Sequence, residues 1–207
     1  MPWDPELVTT AIVHIKERDE ILAGVIDAVG PFQLKLDRNR FQMLVWSILS
    51  QQISGKAARS IRKRLLELIA PNRVTADRLA ALSVDELRSA GVSPQKAKYI
   101  HDLAAKVADG TVKLSRVGTM SDGQVITELV QVKGIGVWTA QMFLMFSLGR
   151  PDVFPHDDFG IRSALKNLYG LSDLPNREKS QTLAAPWRPY ATIASWYCWR
   201  SLDLNRK

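Results

Sequence analysis

The chain has 207 residues, of which 46% are hydrophobic and 24% charged, which is ordinary for a folded protein and leaves no apolar run long enough to span a membrane. Lys and Arg outnumber Asp and Glu by 28 to 21, and the net charge of +7 favours a polyanion such as nucleic acid or an anionic surface as partner. The single cysteine, Cys198, excludes an intrachain disulfide and a four-cysteine iron–sulfur cluster, and three separated histidines show no zinc-ligand spacing.

Capping residues followed by apolar-periodic runs predict helices along most of the chain. Such helix starts lie at Asp4, Asp19, Ser54, Ser83, Ser93, Ser121 and Asp158. Two further helices are predicted from apolar residues alone, over 41–49 and about 190–202. Glycine or proline ends several helices, as at Gly30 and Pro71. Strand signals are weak, so the sequence predicts an all-α fold of roughly ten short helices.

The segment LVQVKGIGVWTAQM, residues 129–142, carries the strongest local signal. We expect an apolar helix to end at Val132, a Gly-Ile-Gly turn to follow, and a second apolar helix to begin near Trp138. The glycines leave no Cβ in the way of a phosphate, and the turn amides and the next helix N-terminus carry partial positive charge. Lys133 adds a full charge, which favours phosphate binding over a helix–turn–helix connection without a ligand.

Two adjacent aspartates, Asp157 and Asp158, follow this hairpin in the segment VFPHDDFG. A carboxylate at the start of a helix is usually an N-cap and nothing more. The position of Asp158, twenty residues beyond Trp138 and after one helix and a proline-containing loop, suggests a second role.

Three blocks of sequence agree in order and spacing with a known family. LVWSILSQQISGKAA, LVQVKGIGVWTA with the PHDD segment after it, and PWRPYATIASWYCWR resemble the helix-hairpin-helix DNA glycosylase superfamily, and within it the 3-methyladenine DNA glycosylase II family. The resemblance covers about residues 40–202 and implies a two-lobed helical fold with a central cleft. Residues 41–150, with the hairpin at 129–142, would form the central lobe, and 1–40 with 151–207 the second.

The resemblance also implies a catalytic group and a base pocket. Asp158 would be the catalytic carboxylate, which stabilises an oxocarbenium-like sugar, with Asp157 a cap or support. Trp138 and Trp196 match the family's pocket tryptophans, whose faces suit a cationic alkylated base, although core packing is the commoner role of an indole. Met142, one turn after Trp138, would share that wall where the family often has an aromatic residue.

The identity of residue 138 bears on the mechanism. Bifunctional members of the superfamily carry a lysine at this hairpin position and use its amine to form a Schiff base and nick the strand. Trp138 has no amine, so the resemblance implies a monofunctional enzyme that uses water. The absence of a four-cysteine cluster agrees, since relatives similar to endonuclease III usually carry one.

The DNA contacts implied by the resemblance lie in the first block, in the hairpin and in the turn after Gly91. They are Gln51, Gln52, Ser54, Ser93, Lys96, Lys133, Gly134, Gly136 and Thr139. The wedge that fills the gap left by a flipped nucleotide would be Gln52, with Gln51 as second choice and a plain surface turn as the alternative. Hairpin carbonyls of Val132 and Ile135 would hold a monovalent cation, Na⁺ or K⁺, and no other cofactor is expected.

We therefore expect a monofunctional DNA glycosylase that excises alkylated purines from double-stranded DNA by base flipping and Asp-assisted hydrolysis. We expect a monomer without membrane contact. It should be intracellular, cytoplasmic if prokaryotic and nuclear if eukaryotic, since no secretory signal is visible. One alternative is a glycosylase of the same superfamily acting on mismatched adenine or oxidised guanine, and another is a noncatalytic hairpin module that only binds DNA.

Overall fold

The computed structural model describes residues 3–71 and 73–204 of the chain. In these ranges it contains twelve α-helices and no strand, which confirms the all-α prediction. The helices are α1 (Pro5–Arg18), α2 (Glu20–Val29), α3 (Arg40–Ser50), α4 (Gly55–Ile69), α5 (Ala76–Ala80), α6 (Val84–Ser89), α7 (Pro94–Ala108), α8 (Asp122–Leu129), α9 (Val137–Phe143), α10 (Phe159–Leu168), α11 (Arg177–Ala184) and α12 (Ala191–Leu204). A π-helical segment, Leu144–Leu148, continues α9, and a 3₁₀ turn, Ala185–Trp187, follows α11. No helix within the described ranges is long and apolar enough to cross a bilayer.

Side-chain caps begin the helices at the predicted residues. The caps that accept an amide hydrogen bond in the first turn are Asp4, Asp19, Ser54, Ser83, Ser93, Ser121 and Asp158. Ser83 with Glu86, and Ser121 with Gln124, form complete capping boxes. Because these hydrogen bonds are local in sequence, the residue types alone were enough to place them.

The helical pattern differs from the prediction in two respects. The helix α8 ends at Leu129 rather than at Val132, because the Val132 N–H turns back to Leu129 O at 3.1 Å. The short helices α5 and α11 are additional, and their caps are Thr75 and Asn176. Each contains only one buried apolar residue, Leu79 in α5 and Ala184 in α11, so neither shows an apolar period.

The chain divides into two compact units, which we call the middle unit (37–143) and the terminal unit (up to 36 and from 144 onward). The predicted boundaries were 40/41 and 150/151. Arg40 belongs to the middle unit because its guanidinium donates to Leu114 O at 2.6 Å and Ser115 O at 3.1 Å. Arg150 belongs to the terminal unit, where its carbonyl accepts the Thr192 hydroxyl at 2.6 Å.

The core of the terminal unit surrounds the start of α2. Trp187 and Tyr197 are fully buried there with apolar residues of α1, α2, α10 and α12. Asp19 caps α2 through the Leu22 amide, and its Oδ2 also accepts the Trp187 indole N–H at 2.6 Å and the Tyr169 hydroxyl. One carboxylate thus joins three segments of this unit.

The core of the middle unit is formed mainly by α3, α4, α5 and α7. Its fully buried side chains include Phe143 and the aliphatic residues Leu44, Ile48, Leu65 and Leu79. Burial of such side chains from water stabilises the unit by roughly 1.5–3 kcal/mol each. The turn that carries Gln51 and Gln52 follows the end of α3 and leads into α4.

Candidate functional site

The hairpin between α8 and α9 is a tight double turn. The Val132 N–H bonds Leu129 O, the Ile135 N–H bonds Val132 O at 3.0 Å, and both Val132 and Ile135 are buried. Gly134 has a φ of +82°, and a Cβ at this position would run into the ring of Tyr99. Glycine at 134 is therefore required both by the backbone conformation and by packing.

Asp102 of α7 anchors this hairpin. Its Oδ2 accepts the Lys133 N–H at 2.8 Å and the Lys106 ammonium at 2.7 Å, and Lys106 also donates to Gln131 O at 2.7 Å. Burial acts to raise the pKa of Asp102, but the hydrogen bonds and charges of the two lysines outweigh it and hold the pKa below its ordinary value.

The sequence suggested that the hairpin amides are available to a phosphate, but not all of them are. Those of Lys133 and Ile135 are bonded within the protein. Gly136 and the first turn of α9 are the part of the hairpin backbone left to contact a phosphate, and a Cβ at Gly136 would meet nothing within 4 Å. The Lys133 side chain is 75% exposed, with its ammonium 4.0 Å from Asp102 Oδ1.

The turn between α3 and α4 is tied to the same hairpin. Gln51 Nε2 donates to Gly134 O at 2.8 Å. The Lys96 ammonium donates to Leu49 O at 2.9 Å and Gln51 O at 2.7 Å, and burial lowers its pKa. Gln52, the next residue, is exposed and has a positive φ of 55°. Lys96 thus contacts the turn through two of its backbone carbonyls, and its contact with DNA stays a prediction.

Three other residues predicted to contact DNA are engaged in helix capping or nearly buried. Ser54 and Ser93 are exposed, but their hydroxyls cap α4 and α7 through the Ala57 and Lys96 amides. Thr139 is only 4% exposed because it lies on the inward side of α9. Thr139 is therefore nearly buried, and its contact with DNA stays a prediction.

The two predicted pocket residues on α9 differ in exposure. Trp138, in the first turn of the helix, is 42% exposed, whereas Met142, one turn later, is 7% exposed. An indole of this size that stays accessible is available to a ligand in a way that a core tryptophan is not.

Asp158 lies at the N-terminus of α10 in the terminal unit. Its Oδ1 accepts the Ile161 N–H at 2.9 Å and the indole N–H of Trp199 at 2.9 Å. Its neighbour Asp157 is exposed and lies 3.1 Å from His156 Nε2. The carboxylate of Asp158 is thus half-buried and oriented by two donors, whereas that of Asp157 faces solvent.

Trp196 lines a cavity of about 390 Å³ within the terminal unit. Phe32 and Tyr197 meet its ring edge to face at 5.0 and 4.9 Å, and the Arg200 guanidinium carbon lies 5.9 Å from its centroid. Phe146 also lines this cavity. The predicted pocket tryptophan is therefore partly buried by aromatic packing and partly open to a cavity.

Sequence reasoning missed Trp199, which lies one turn beyond Trp196 on α12 and reaches Asp158. It belongs to a block that had been recognised, but the block contains several aromatic residues. An indole N–H partner forty-one residues away in the chain leaves no local signal. A spacing of three residues on one helix, which puts 196 and 199 on neighbouring faces, was the available hint.

Comparisons with known proteins all point to one family. Residues 45–189 match the family described as HhH-GPD superfamily base excision DNA repair protein. The chain is 30% identical over 199 residues to the alkylbase DNA glycosidase-like protein mag2 of Schizosaccharomyces pombe, over 94% of this chain and 93% of that protein. It is 30% identical over 188 residues to the putative DNA-3-methyladenine glycosylase YfjP of Bacillus subtilis, over 88% of this chain and 66% of that protein.

Solved structures with the same fold agree. The 3-methyladenine DNA glycosylase Mag1 of Schizosaccharomyces pombe, in complex with abasic DNA, superposes with a TM-score of 0.86 at 27% identity, over 96% of this chain and 98% of that one. A DNA-3-methyladenine glycosidase from Bacillus halodurans gives a TM-score of 0.84 at 36% identity, over 95% and 90%. Together with the match over residues 45–189, these similarities show that the chain belongs to the HhH-GPD superfamily of base excision DNA repair proteins.

Proposed function

We propose that this chain is a monofunctional DNA glycosylase that removes alkylated purines from double-stranded DNA. The observation that carries the proposal is the half-buried, doubly hydrogen-bonded carboxylate of Asp158 in a chain whose relatives are named for 3-methyladenine excision. A role in DNA repair also makes an intracellular location part of the proposal.

Asp158 supplies the negative charge that the reaction needs. Rotation of the damaged nucleotide out of the duplex exposes its glycosidic bond, and departure of a cationic base leaves positive charge on the sugar. A carboxylate already oriented by two N–H donors stabilises that charge without reorganising, and it can orient the attacking water.

Two aromatic residues are available to bind the base. Trp138 offers an accessible indole, and Trp196 offers one bordering a cavity. An alkylated purine is electron-poor, so both stacking and cation–π attraction favour these rings. Because Met142 is nearly buried, we assign it to supporting Trp138 rather than to contact with the base.

The hairpin and the α3–α4 turn would hold the DNA backbone. Lys133 is exposed beside Gly134 and Gly136, where a phosphate can approach the backbone closely. Gln52 is the wedge in this proposal because it is exposed, whereas Gln51 is committed to Gly134 O.

The hairpin carbonyls of Val132 and Ile135 fit a monovalent cation such as Na⁺ or K⁺ in their chemistry. They are neutral oxygens, and the bond from the Ile135 N–H uses one of the two lone pairs of Val132 O. A bound cation would supply positive charge next to a phosphate. We propose no other cofactor, and we propose that the enzyme acts as a monomer.

The test uses duplex DNA that contains methylated purines, with free base and strand breaks assayed separately. We expect 3-methyladenine release with intact strands from the wild type, and loss of base release with retained DNA binding in Asp158→Asn. Because asparagine keeps the shape but lacks the charge, the rate should fall by roughly a hundredfold or more.

Other results would redirect the assignment. Direct strand nicking would contradict the monofunctional mechanism. Tight DNA binding without base release by the wild type would instead support a noncatalytic binding module. Full activity of Asp158→Asn would remove Asp158 from the mechanism.

A further inference from the structure

The Trp199 side chain reaches the Asp158 carboxylate from a different helix, α12. Asp158 Oδ1 accepts one N–H from its own helix, Ile161, as an ordinary cap does. The second N–H comes from the Trp199 indole at 2.9 Å. Capping of α10 does not need this second bond, so it calls for another explanation.

Phe146 and Gly160 both lie close to the Trp199 indole. Phe146 stacks against it with ring centroids 5.8 Å apart and an angle of 27° between the planes. On the Asp158 side, a Cβ at Gly160 would lie 3.0 Å from Trp199 Cδ1, 3.1 Å from its Nε1 and 3.1 Å from Asp158 Oδ1. The glycine thus leaves the space that the indole and the carboxylate share.

We propose that Trp199 is a positioning residue for Asp158, whose indole N–H fixes the carboxylate in one orientation. The inference rests on the proposed function of Asp158. Because the donor is neutral, it orients the carboxylate without cancelling the charge that the developing sugar cation requires.

Several charged groups near Asp158 in the chain or on α12 have partners of their own. Asp157 lies against His156, as described above. On α10, the Arg162 Nε donates to Pro175 O at 2.8 Å, and on α12 Arg200 pairs with Asp203 at 3.1 Å. These groups are present in every variant proposed below, so they act equally on each.

The test replaces the indole by a ring of similar shape that has no N–H. In Trp199→Phe we expect single-turnover base release to slow roughly tenfold at neutral pH, because the carboxylate loses an oriented donor. DNA affinity should stay at the wild-type value.

A second variant changes the same contact without altering either partner. Gly160→Ala would push a methyl group between Trp199 and Asp158. Alanine ordinarily stabilises a helix relative to glycine. We therefore expect slower base release without a lower melting temperature, which a purely structural role of Trp199 would not produce.

The matched control removes an indole N–H that bonds a different carboxylate of the same unit. Trp187→Phe loses the 2.6 Å hydrogen bond to Asp19 Oδ2. It should lower the melting temperature but leave the rate of base release unchanged when assayed well below that temperature.

A substrate-free measurement separates this inference from the proposed function. At neutral pH, the Asp158 carboxyl ¹³C signal of the free protein should change position in Trp199→Phe and in Gly160→Ala but not in Trp187→Phe. If the wild type releases no base, the proposed function fails, and this signal still decides whether Trp199 acts on Asp158. An unchanged signal, or wild-type rates of base release in both Trp199→Phe and Gly160→Ala, would overturn the inference.

Discussion

Gln52 has a backbone conformation that its side chain does not favour. Its φ of 55° lies in the left-handed region, where a residue other than glycine costs on the order of 1 kcal/mol or more. The preceding residue, Gln51, has an ordinary φ of −59° and is bonded to Gly134 O. The strain therefore falls on the exposed glutamine of the pair, which is the one proposed to enter the DNA.

Gln52→Gly should separate stability from activity. Glycine adopts positive φ without strain, so we expect the free energy of unfolding to rise by up to about 1 kcal/mol. A missing side chain cannot fill the gap left by a flipped nucleotide, so base release should slow. Denaturant unfolding and single-turnover assays measure the two effects. Undiminished base release by Gln52→Gly would exclude this residue as the wedge.

For single residues, the sequence was enough where the role depends on the residue type or on near neighbours in the chain. Glycine at 134 and the aspartate cap at 158 are of this kind, and the structure supplies a physical reason for each. The roles of Lys96, Thr139 and Trp199 depend on which distant group each side chain reaches or on which side of a helix faces inward. Tertiary packing decides those contacts, and no local pattern encodes them.

Among the elements, the hairpin depends on one carboxylate of the neighbouring helix α7. Asp102 accepts the Lys133 N–H and the Lys106 ammonium, and its side chain is 17% exposed. Loss of this acceptor would leave a backbone N–H and an ammonium without their partner. The position of the hairpin is therefore set partly from outside the segment that would contact DNA.

Asp102→Ala should destabilise the protein by about 1–3 kcal/mol at neutral pH and weaken DNA binding. The pKa of Asp102 is lowered by folding, so its contribution is complete above the ordinary value of about 3.9 and is lost as pH falls through the lower folded pKa. Denaturant unfolding at several pH values should show the wild type and variant converging in acid. A constant difference down to that range would contradict the ionic anchor.

Asp85→Ala provides the control for this change. Asp85 pairs with Arg88 at 3.2 Å on α6 of the same unit, but its side chain is 88% exposed. Surface pairs of this type contribute little. We expect Asp85→Ala to alter neither stability nor DNA binding appreciably, which would assign the effect of Asp102→Ala to the hairpin rather than to a changed net charge.

Most helices could be predicted, but the limits of the units could not be placed to the residue. Helix starts follow from caps such as Ser83 and Ser121, whose partners are three residues away. The change of unit at 143/144 falls inside a continuous helical stretch, where α9 passes into the π-helical segment Leu144–Leu148. Apolar periodicity continues through that stretch and gives no sign of the change, whereas the boundary implied by the family resemblance lies at 150/151.

For the molecule as a whole, the net charge of +7 is an incomplete guide to DNA binding. Many of its cations are engaged within the protein, as Lys96 and Lys106 are with backbone carbonyls. Binding that followed net charge would respond equally to the loss of any lysine. Binding through the hairpin would respond chiefly to the loss of a lysine that contacts a phosphate.

Lys133→Gln and Lys16→Gln distinguish the two cases because each removes one positive charge. Lys133 lies on the hairpin, whereas Lys16 pairs with Asp27 at 2.7 Å in the terminal unit. We expect Lys133→Gln to weaken binding and to reduce the slope of log K against log salt concentration by about 0.9, as loss of one phosphate contact does. Lys16→Gln should keep the wild-type slope. Equal changes in the two variants, measured by titrating duplex DNA over a range of NaCl concentrations, would mean that the overall field of the protein, rather than the hairpin, holds the DNA.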